Sequence, residues 1–365
     1  MRILAIDIGT GTQDILLYDS SVAVESCFKT VAPSPTQMLA ERIRQATREG
    51  LDLALWGVNM GGGPIAWALE SHLRAGHRVV STPEAAHTFN DDLAVVQSMG
   101  VQLVEAGELP LGDDWLRLKL RDLDLALIRR ALGAFGLDTD FDGVAVAALD
   151  HGNAPPEVSD RLFRFQHLRR AVAARDDLYA FAYMAEELPD YLTRLRAIAE
   201  SGGQVPMLLM DTGPAAALGA LDDPQVAGQR ELLLANLGNM HALAFDIENG
   251  HIKGFFEHHT GLLTKQKLES LIEKLCRGDL EDQEVFEDGG HGSYVLARAG
   301  AGKVPFLSVT GPRRSLLRGS VLNPYFAAPH GDMMLTGCYG LVRAFGEKVP
   351  EWREEIQGSL WEASP

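Results

Sequence analysis

Asp7-x-Gly9-x-Gly11-Thr12 places a carboxylate near the end of one largely apolar run, Ile3–Ile8, and two glycines and a hydroxyl before the next, Ile15–Tyr18. The runs read as β-strands and the middle as a tight hairpin turn. Glycines let backbone N–H groups approach an anion, and the Thr10 and Thr12 hydroxyls are further donors. A strand-borne Asp7 beside a phosphate is suited to holding Mg²⁺ through water, because that ion prefers oxygen ligands and retains its hydration. The alternative is an ordinary glycine-rich hairpin. Gly61-Gly62-Gly63-Pro64 ends one strand and begins a helix. Gly62 and Gly63 therefore either hold an anionic substrate group at a helix N-terminus or form a flexible turn. Arg313, which follows Gly311-Pro312, either reaches a phosphate or solvates the surface. His151, His241, His258, His259 and His291 form no HxxxH or HExxH pair. They read as hydrogen-bonded or phosphate-facing groups, with contacts to a transition metal as the alternative.

Charge narrows the partners. Lys and Arg total 33 against 50 Asp and Glu, a net charge of −17 over 365 residues. Such a surface repels phosphodiester backbones and anionic membrane, so neither nucleic acid nor membrane is expected as a partner. At 46% apolar and 23% charged, the composition is that of a globular protein with a sizeable core. No apolar run approaches the roughly 18 residues of a spanning helix, and Ile3–Ile6 is too short for a signal-peptide core. A cytoplasmic location is the expectation. Cys27, Cys276 and Cys338 form no CxxC or CxxxCxxC pattern. That excludes a disulfide scaffold and an iron–sulfur site of clustered thiolates.

The elements that must position these residues fall into two similar series. After the first hairpin, residues 22–28 supply a third strand. From Pro33 to about Leu116 helix and strand alternate, which points to parallel strands with helical crossovers. There the pattern predicts a helix over 36–49, capped by Thr36 and stopped by Gly50. It also predicts a strand over 51–58, helices over 65–75 and 84–98, and short strands at 78–81 and 101–104. A helix over 122–135, a buried strand over 142–149, a long helical region over 158–201 and a strand over 205–210 follow. The small-residue helix 215–220 comes next. A second hairpin, 232–236 with 240–247, and a strand at 252–257 then open the second series. It continues with an amphipathic helix over 264–276, a strand over 304–310 and a helix over 331–345. Residues 347–365 read as a peripheral tail pinned by Trp352 and Trp361.

Placed in order, these segments resemble the actin/hexokinase/sugar-kinase superfamily of ATPases. Ile3–Asp19 is similar to its first phosphate motif, and Leu233–Phe245 to its second, with Asn236-Leu-Gly238-Asn239 at the turn. Phe306–Arg314 is similar to its adenosine motif. Leu208–Gly219 and Asp332–Val342 look like its two connecting helices, whose small residues permit close packing at a hinge. The sequence departs from the pattern at Asn236, where Asp is usual, and at Gly311-Pro312, where Gly-Gly is usual. Pro312 removes a backbone donor and Asn236 a carboxylate. More narrowly, the chain resembles a family labelled as relatives of a pyruvate formate-lyase activating enzyme. That label implies radical chemistry on a CxxxCxxC cluster, which this sequence lacks, and it is not carried over as a mechanism.

The resemblance implies an α/β fold of duplicated ribonuclease H-like, actin-like ATPase lobes with an inserted α/β subdomain. Lobe I is expected over 1–32 and 116–224, the insertion over 33–115, lobe II over 225–346 and the tail over 347–365. Gly9, Thr10, Gly11, Thr12, Gln13, Gly238, Asn239, Gly311 and Arg313 are the implied nucleotide and phosphate contacts, with Asp7 at Mg²⁺. Asp150 and Asp211 each end a buried strand on the cleft side. Asp150 is the first choice for a base that orients the attacking group, and Asp211 for a helix cap. His151, Gly62, Gly63, His241, His258 and His259 are candidate substrate or metal contacts, since some superfamily members bind a transition metal through histidines. The implied activity is Mg-ATP-dependent phosphoryl transfer to a small molecule, or ATP hydrolysis coupled to lobe closure. Two alternatives stay open: a metal-assisted hydrolase or transferase without nucleotide, and a nucleotide sensor that activates a partner protein.

Overall fold

In the computed structural model, which describes residues 1–296 and 304–361 without the side chain of Trp361, the opening apolar run buries both of its faces. Strand β1 (Arg2–Ile8) sends Ile3 and Ala5 into one core and Leu4, Ile6 and Ile8 into another. Burial on two sides makes it a central strand. It turns into antiparallel β2 (Thr12–Asp19), and β3 (Phe28–Pro33) extends the sheet. This third strand starts where it was expected to end. Across 22–28 only Val24 and Cys27 turn fully inward, a spacing of three, and Val24–Ser26 forms a 3-10 turn instead.

The insertion has a core of its own. It comprises α1 (Pro35–Glu49), β4 (Asp52–Gly57), α2 (Pro64–Arg74), β5 (Val79–Ser81), α3 (Pro83–Ala86), α4 (Leu93–Ser98), β6 (Val101–Leu103) and β7 (Trp115–Leu120). Its four strands run parallel in the order β6-β5-β4-β7. Ser34, not Thr36, caps α1, by accepting from the Gln37 N–H. Thr36 Oγ1 instead donates to the Gly62 carbonyl at 2.6 Å, so the hydroxyl ties the helix to the triple-glycine loop. The continuous helix expected over 84–98 breaks into α3 and α4, because Asp92 caps a new start on Ala94 N–H.

The chain returns through α5 (Leu125–Ala134), β8 (Gly143–Ala148), α6 (Asp160–Ala174), β9 (Ala182–Met184), α7 (Thr193–Ser201), β10 (Met207–Met210), α8 (Thr212–Ala220) and α9 (Pro224–Ala227). The second series is β11 (Glu231–Leu237), β12 (His241–Glu248), β13 (His251–His259), α10 (Lys265–Arg277), α11 (Asp282–Glu287), β14 (Gly292–Val295), β15 (Phe306–Thr310), β16 (Tyr325–Phe326), α12 (Thr336–Lys348) and α13 (Pro350–Trp361). The sheets are ordered β3-β2-β1-β8-β10-β9 and β14-β13-β12-β11-β15-β16. Leaving aside edge strands β9 and β14, which the sequence did not announce, both have the order third, second, first, fourth, fifth. In both, only the second strand is antiparallel. The protein is therefore a duplicated ribonuclease H-like chain with two lobes, the actin-like ATPase architecture.

Two helices cross between the sheets. Helix α8 packs on β11, β12 and β15 of the second sheet, and α12 on β1, β8 and β10 of the first. They meet glycine to glycine: a β-carbon on Gly219 would lie 1.8 Å from the Thr336 carbonyl oxygen, and one on Gly340 would lie 2.0 Å from that of Ala215. Helix α12 starts after the predicted Gly331 because His330 and Gly331 take φ of 49° and 76°. The expected peripheral tail is helix α13, which buries Ile356 and Leu360 in the central core and packs Trp352 against Phe345 with tilted rings. The second expected pin, the Trp361 side chain, and residues 362–365 lie outside the described residues. Among the described residues, no helix is long and apolar enough to cross a membrane.

Candidate functional site

Each lobe presents its first hairpin to a shared cleft of about 1110 Å³. The two turns close alike. Gly9 N–H donates to the Thr12 carbonyl and Gly238 N–H to the His241 carbonyl, both at 2.9 Å. Thr12 and His241 are thus equivalent positions, as are Asp7 and Asn236. The tips also meet, since a β-carbon on Gly11 would lie 2.6 Å from Asn239 Nδ2. Asp7, Gly9, Thr10, Thr12, Gly62, Gly63, Asp150, His151, Asp211, Gly238, Asn239, His241, His259 and Gly311 all line the cleft. Gln13 does not; its side chain donates to the Pro33 carbonyl on the neighbouring strand. Arg313 closes the turn after β15 with its N–H on the Leu237 carbonyl, and its side chain is exposed outside the cleft lining. Gly311 in that turn has φ 94°, and a β-carbon would strike Leu237 O at 2.4 Å.

Asp7 sits between the first turns of α8 and α12. Thr212 Oγ1 donates to its Oδ1 at 2.5 Å, and a β-carbon on Gly337 would lie 2.0 Å from its Oδ2. Asp14 is its cross-strand partner. Burial, opposed by the Thr212 bond, raises the Asp7 carboxyl to about 7. Burial and then the Asp7 charge raise Asp14 to about 8, with Asp332 adding to the repulsion. Asp14 Oδ1 is buried without a hydrogen-bond partner among the described residues. An all-oxygen, electron-rich set of this kind suits hydrated Mg²⁺.

The two candidate carboxylates at the strand ends, Asp150 and Asp211, are both engaged. Asp150 Oδ1 accepts from Gly152 N–H at 2.8 Å and Oδ2 from Leu195 N–H at 2.9 Å. Burial pushes its carboxyl up, and these two bonds oppose the shift. Asp150 therefore fixes its own loop to the first turn of α7. Asp211 caps α8 through Gly213 N–H, as expected, and also receives Arg164. Arg164 on α6, 1% exposed, donates to Asp211, to both oxygens of Glu257 on β13 and to the Asp150 carbonyl. It joins the two lobes at the cleft. Arg194 on α7 pairs with Asp122 and covers Gly61. The triple-glycine loop is held by its own contacts: Ile65 N–H donates to Thr36 and Gly61 N–H to Asp122. Its Gly63 approaches the Thr10 methyl, so the insertion reaches the first hairpin tip.

Histidines gather opposite. His241 opens β12 directly across from His259 at the end of β13, and His291 precedes β14. His151 arrives from the end of β8 in the other lobe. His151, His241 and His291 each offer a nitrogen within 4.8 Å of the other two, and His259 Nε2 lies 3.3 Å from His291 Nε2. Burial, then the Arg164 charge, lowers His151 to about 4 and also pushes His241 and His291 well down, which keeps these imidazoles neutral. His258 is not among them. It is buried and bonded to Asp288 and the His259 carbonyl, facing away because neighbours on a strand alternate. Sequence reasoning passed over Arg164, Glu257 and Asp14, and did not select His291. Only the His241–His259 pairing had a signal, in the hairpin register itself.

Among solved structures, the chain is similar to the ROK hexokinase from Thermus thermophilus at 13% identity and TM-score 0.26, over 69% of this chain and 47% of that one. It thus spans about half the length of that protein. The activator of 2-hydroxyisocaproyl-CoA dehydratase from Clostridium difficile, with bound ADPNP, aligns over 97% and 98% at 10% identity and TM-score 0.36. The inorganic polyphosphate/ATP-glucomannokinase from Arthrobacter sp. strain KM aligns over 96% and 99% at 12% identity and TM-score 0.35. No curated protein matches in sequence. A family model does match, over residues 60–316, which contain all the clustered histidines and the second hairpin. The three cysteines are buried and free. The chain belongs to the family described as "Putative pyruvate format-lyase activating enzyme (DUF1786)".

Proposed function

We propose that the protein binds Mg-ATP between its lobes and transfers or hydrolyses the terminal phosphoryl group. The observation that carries this reading is the pair of matching hairpin turns, tip to tip across the cleft, with Asp7 and Asp14 at the base of one of them. Backbone turns of this kind cradle phosphates, and the α8 and α12 N-termini beside Asp7 add positive dipole ends. Asp7 and Asp14 would hold hydrated Mg²⁺, which when bound supplies charge neutralisation at the transferring phosphates. The Gly311 turn with Met333 and Met334 lines the part of the cleft that suits the adenosine. The acceptor, a small molecule or water, would lie toward the insertion's loops at Gly61–Gly63 and His87–Asp92.

Neither Asp150 nor Asp211 is free to serve as base, so the proposed catalysis rests on positioning and charge, which dominate phosphoryl transfer. Thr10, Thr12 and Asn239 would orient the phosphates, and Arg164 keeps the lobes in register. Calorimetry with ADP and a non-hydrolysable ATP analogue, with and without Mg²⁺, tests the reading, together with ADP release on ATP. Magnesium-dependent binding is the expected result. Absence of binding at millimolar nucleotide would refute it.

A further inference from the structure

We propose that His241, His259 and His291 of the second lobe, together with His151 from the first, hold a divalent transition metal, Zn²⁺ by donor type. The inference is independent of the nucleotide reading. Four imidazoles from separate chain segments converge, with ring centroids 4.9 Å apart for His259–His291, 5.0 Å for His241–His259 and for His241–His291, and 5.6 Å for His151–His241. Two nitrogens about 2.05 Å from a tetrahedral metal stand about 3.3 Å apart. That is the separation of His259 Nε2 and His291 Nε2.

The far sides of these rings make the case stronger. His259 Nδ1 faces the Gly289 carbonyl at 2.8 Å, which only an N–H can satisfy. His291 Nδ1 lies in ion-pair range of Glu257 Oε2 at 3.3 Å, with no hydrogen bond formed, and Glu257 is itself clamped by Arg164. With the proton of each neutral ring on Nδ1, two bare Nε2 lone pairs face each other. Moving a proton to His291 Nε2 would relieve that contact but set a second lone pair against the Glu257 carboxylate. A cation between the rings removes the conflict, and carbonyl or carboxylate partners on the outer nitrogens are the usual support of metal-bound histidine. His241 Nε2, buried with no hydrogen-bond partner among the described residues, supplies a further donor. An all-imidazole set favours Zn²⁺-like ions over Mg²⁺ or Ca²⁺. Since His151 comes from the opposite lobe, the ion would tie the lobes across the cleft.

The test uses the full chain, stripped with chelator and free of nucleotide, titrated with Zn²⁺ alone and with Co²⁺ alone. The expected result is one ion per chain, with visible Co²⁺ bands of low-coordinate nitrogen ligation that Zn²⁺ displaces. His241→Ala and His291→Ala should each weaken binding at least about tenfold. His151→Ala should abolish any Zn²⁺-induced protection of the cleft from hydrogen exchange. His251→Ala is the control, since that ring is exposed and paired with Asp176. Should His291→Ala fail to fold, His259→Gln and the wild-type Co²⁺ spectrum decide. A wild-type chain that binds no ion stoichiometrically overturns the proposal, and so does a control that loses as much affinity as His241→Ala. Neither outcome bears on nucleotide binding, which is measured separately.

Discussion

Replacing Arg164 with Gln removes the guanidinium that joins α6 to both sheets. In the structure it makes three contacts with Glu257 at 2.6–3.1 Å, two with Asp211 at 2.7 and 3.2 Å, and one with the Asp150 carbonyl at 2.9 Å. Glu257 and Asp211 are 1% and 7% exposed, so water cannot take over these bonds without opening the cleft. Breaking one buried ion pair by removing a partner costs about 3–5 kcal/mol. Here two carboxylates lose the same cation, and the amide of Gln can satisfy only part of one. The loss should lie at or above the middle of that range. Urea unfolding followed by circular dichroism measures it at neutral pH. The double variant Arg164→Gln with Glu257→Gln removes the more deeply buried orphaned charge, and should regain about 1 kcal/mol or more relative to Arg164→Gln alone. An Arg164→Gln variant that loses less than about 1 kcal/mol would refute the argument. So would a double variant as destabilised as the sum of its two singles, because the pair would then not be coupled.

Asp7→Asn should keep the far-ultraviolet dichroism of the parent while the Mg²⁺ dependence of nucleotide affinity falls at least about tenfold, since a near-isosteric change removes one charge facing the ion. Unchanged Mg²⁺ dependence in calorimetry would make Asp7 structural. Gly340→Ala should cost about 2 kcal/mol or more in urea unfolding, because the α8–α12 contact has no room for a methyl group; a neutral effect would mean that the helices slide apart freely. Burial raises the Asp246 carboxyl to about 6. A folded-state value above the unfolded one means stability that is present below about pH 4 and lost as pH rises through about 6. Asp246→Asn should therefore be more stable than the parent by about 1–2 kcal/mol at pH 7 and equal to it near pH 4, and a constant difference across that range would contradict the assignment.

The fold was legible because burial on two faces leaves a plain mark. Apolar runs broken only near their ends by Asp7 and Asn236, Ile3–Ile8 and Leu232–Leu237, each followed by a glycine turn, identify the central strands and the duplication. Edge strands leave no such mark: Ala182–Met184 and Gly292–Val295 are short and of mixed burial, and so went unread. Glycines and hairpin residues of the site were found because turns restrict residue type locally. Arg164 was missed because one arginine among four on a helix of low amphipathicity looks the same whether it faces water or Glu257. Only three-dimensional convergence sets it apart, and the same holds for His291. His258 was taken in and His291 left out for one reason. The direction of a side chain on a strand follows from register, and register is fixed by pairing with segments far away in sequence.

The exchange of helices α8 and α12 between the sheets also constrains the order of events during synthesis. Ile3, Ala5, Leu16 and Tyr18 emerge first, yet their partners on that face include Tyr339, Leu341, Phe345, Ile356 and Leu360. More than 300 residues must be made before that apolar layer is covered, whereas the insertion closes its core within its own sequence. Contacts so distant along the chain slow folding, and exposed apolar surface in the interval invites association. The nascent first lobe should therefore be a substrate for holding chaperones, released only when residues 336–361 dock.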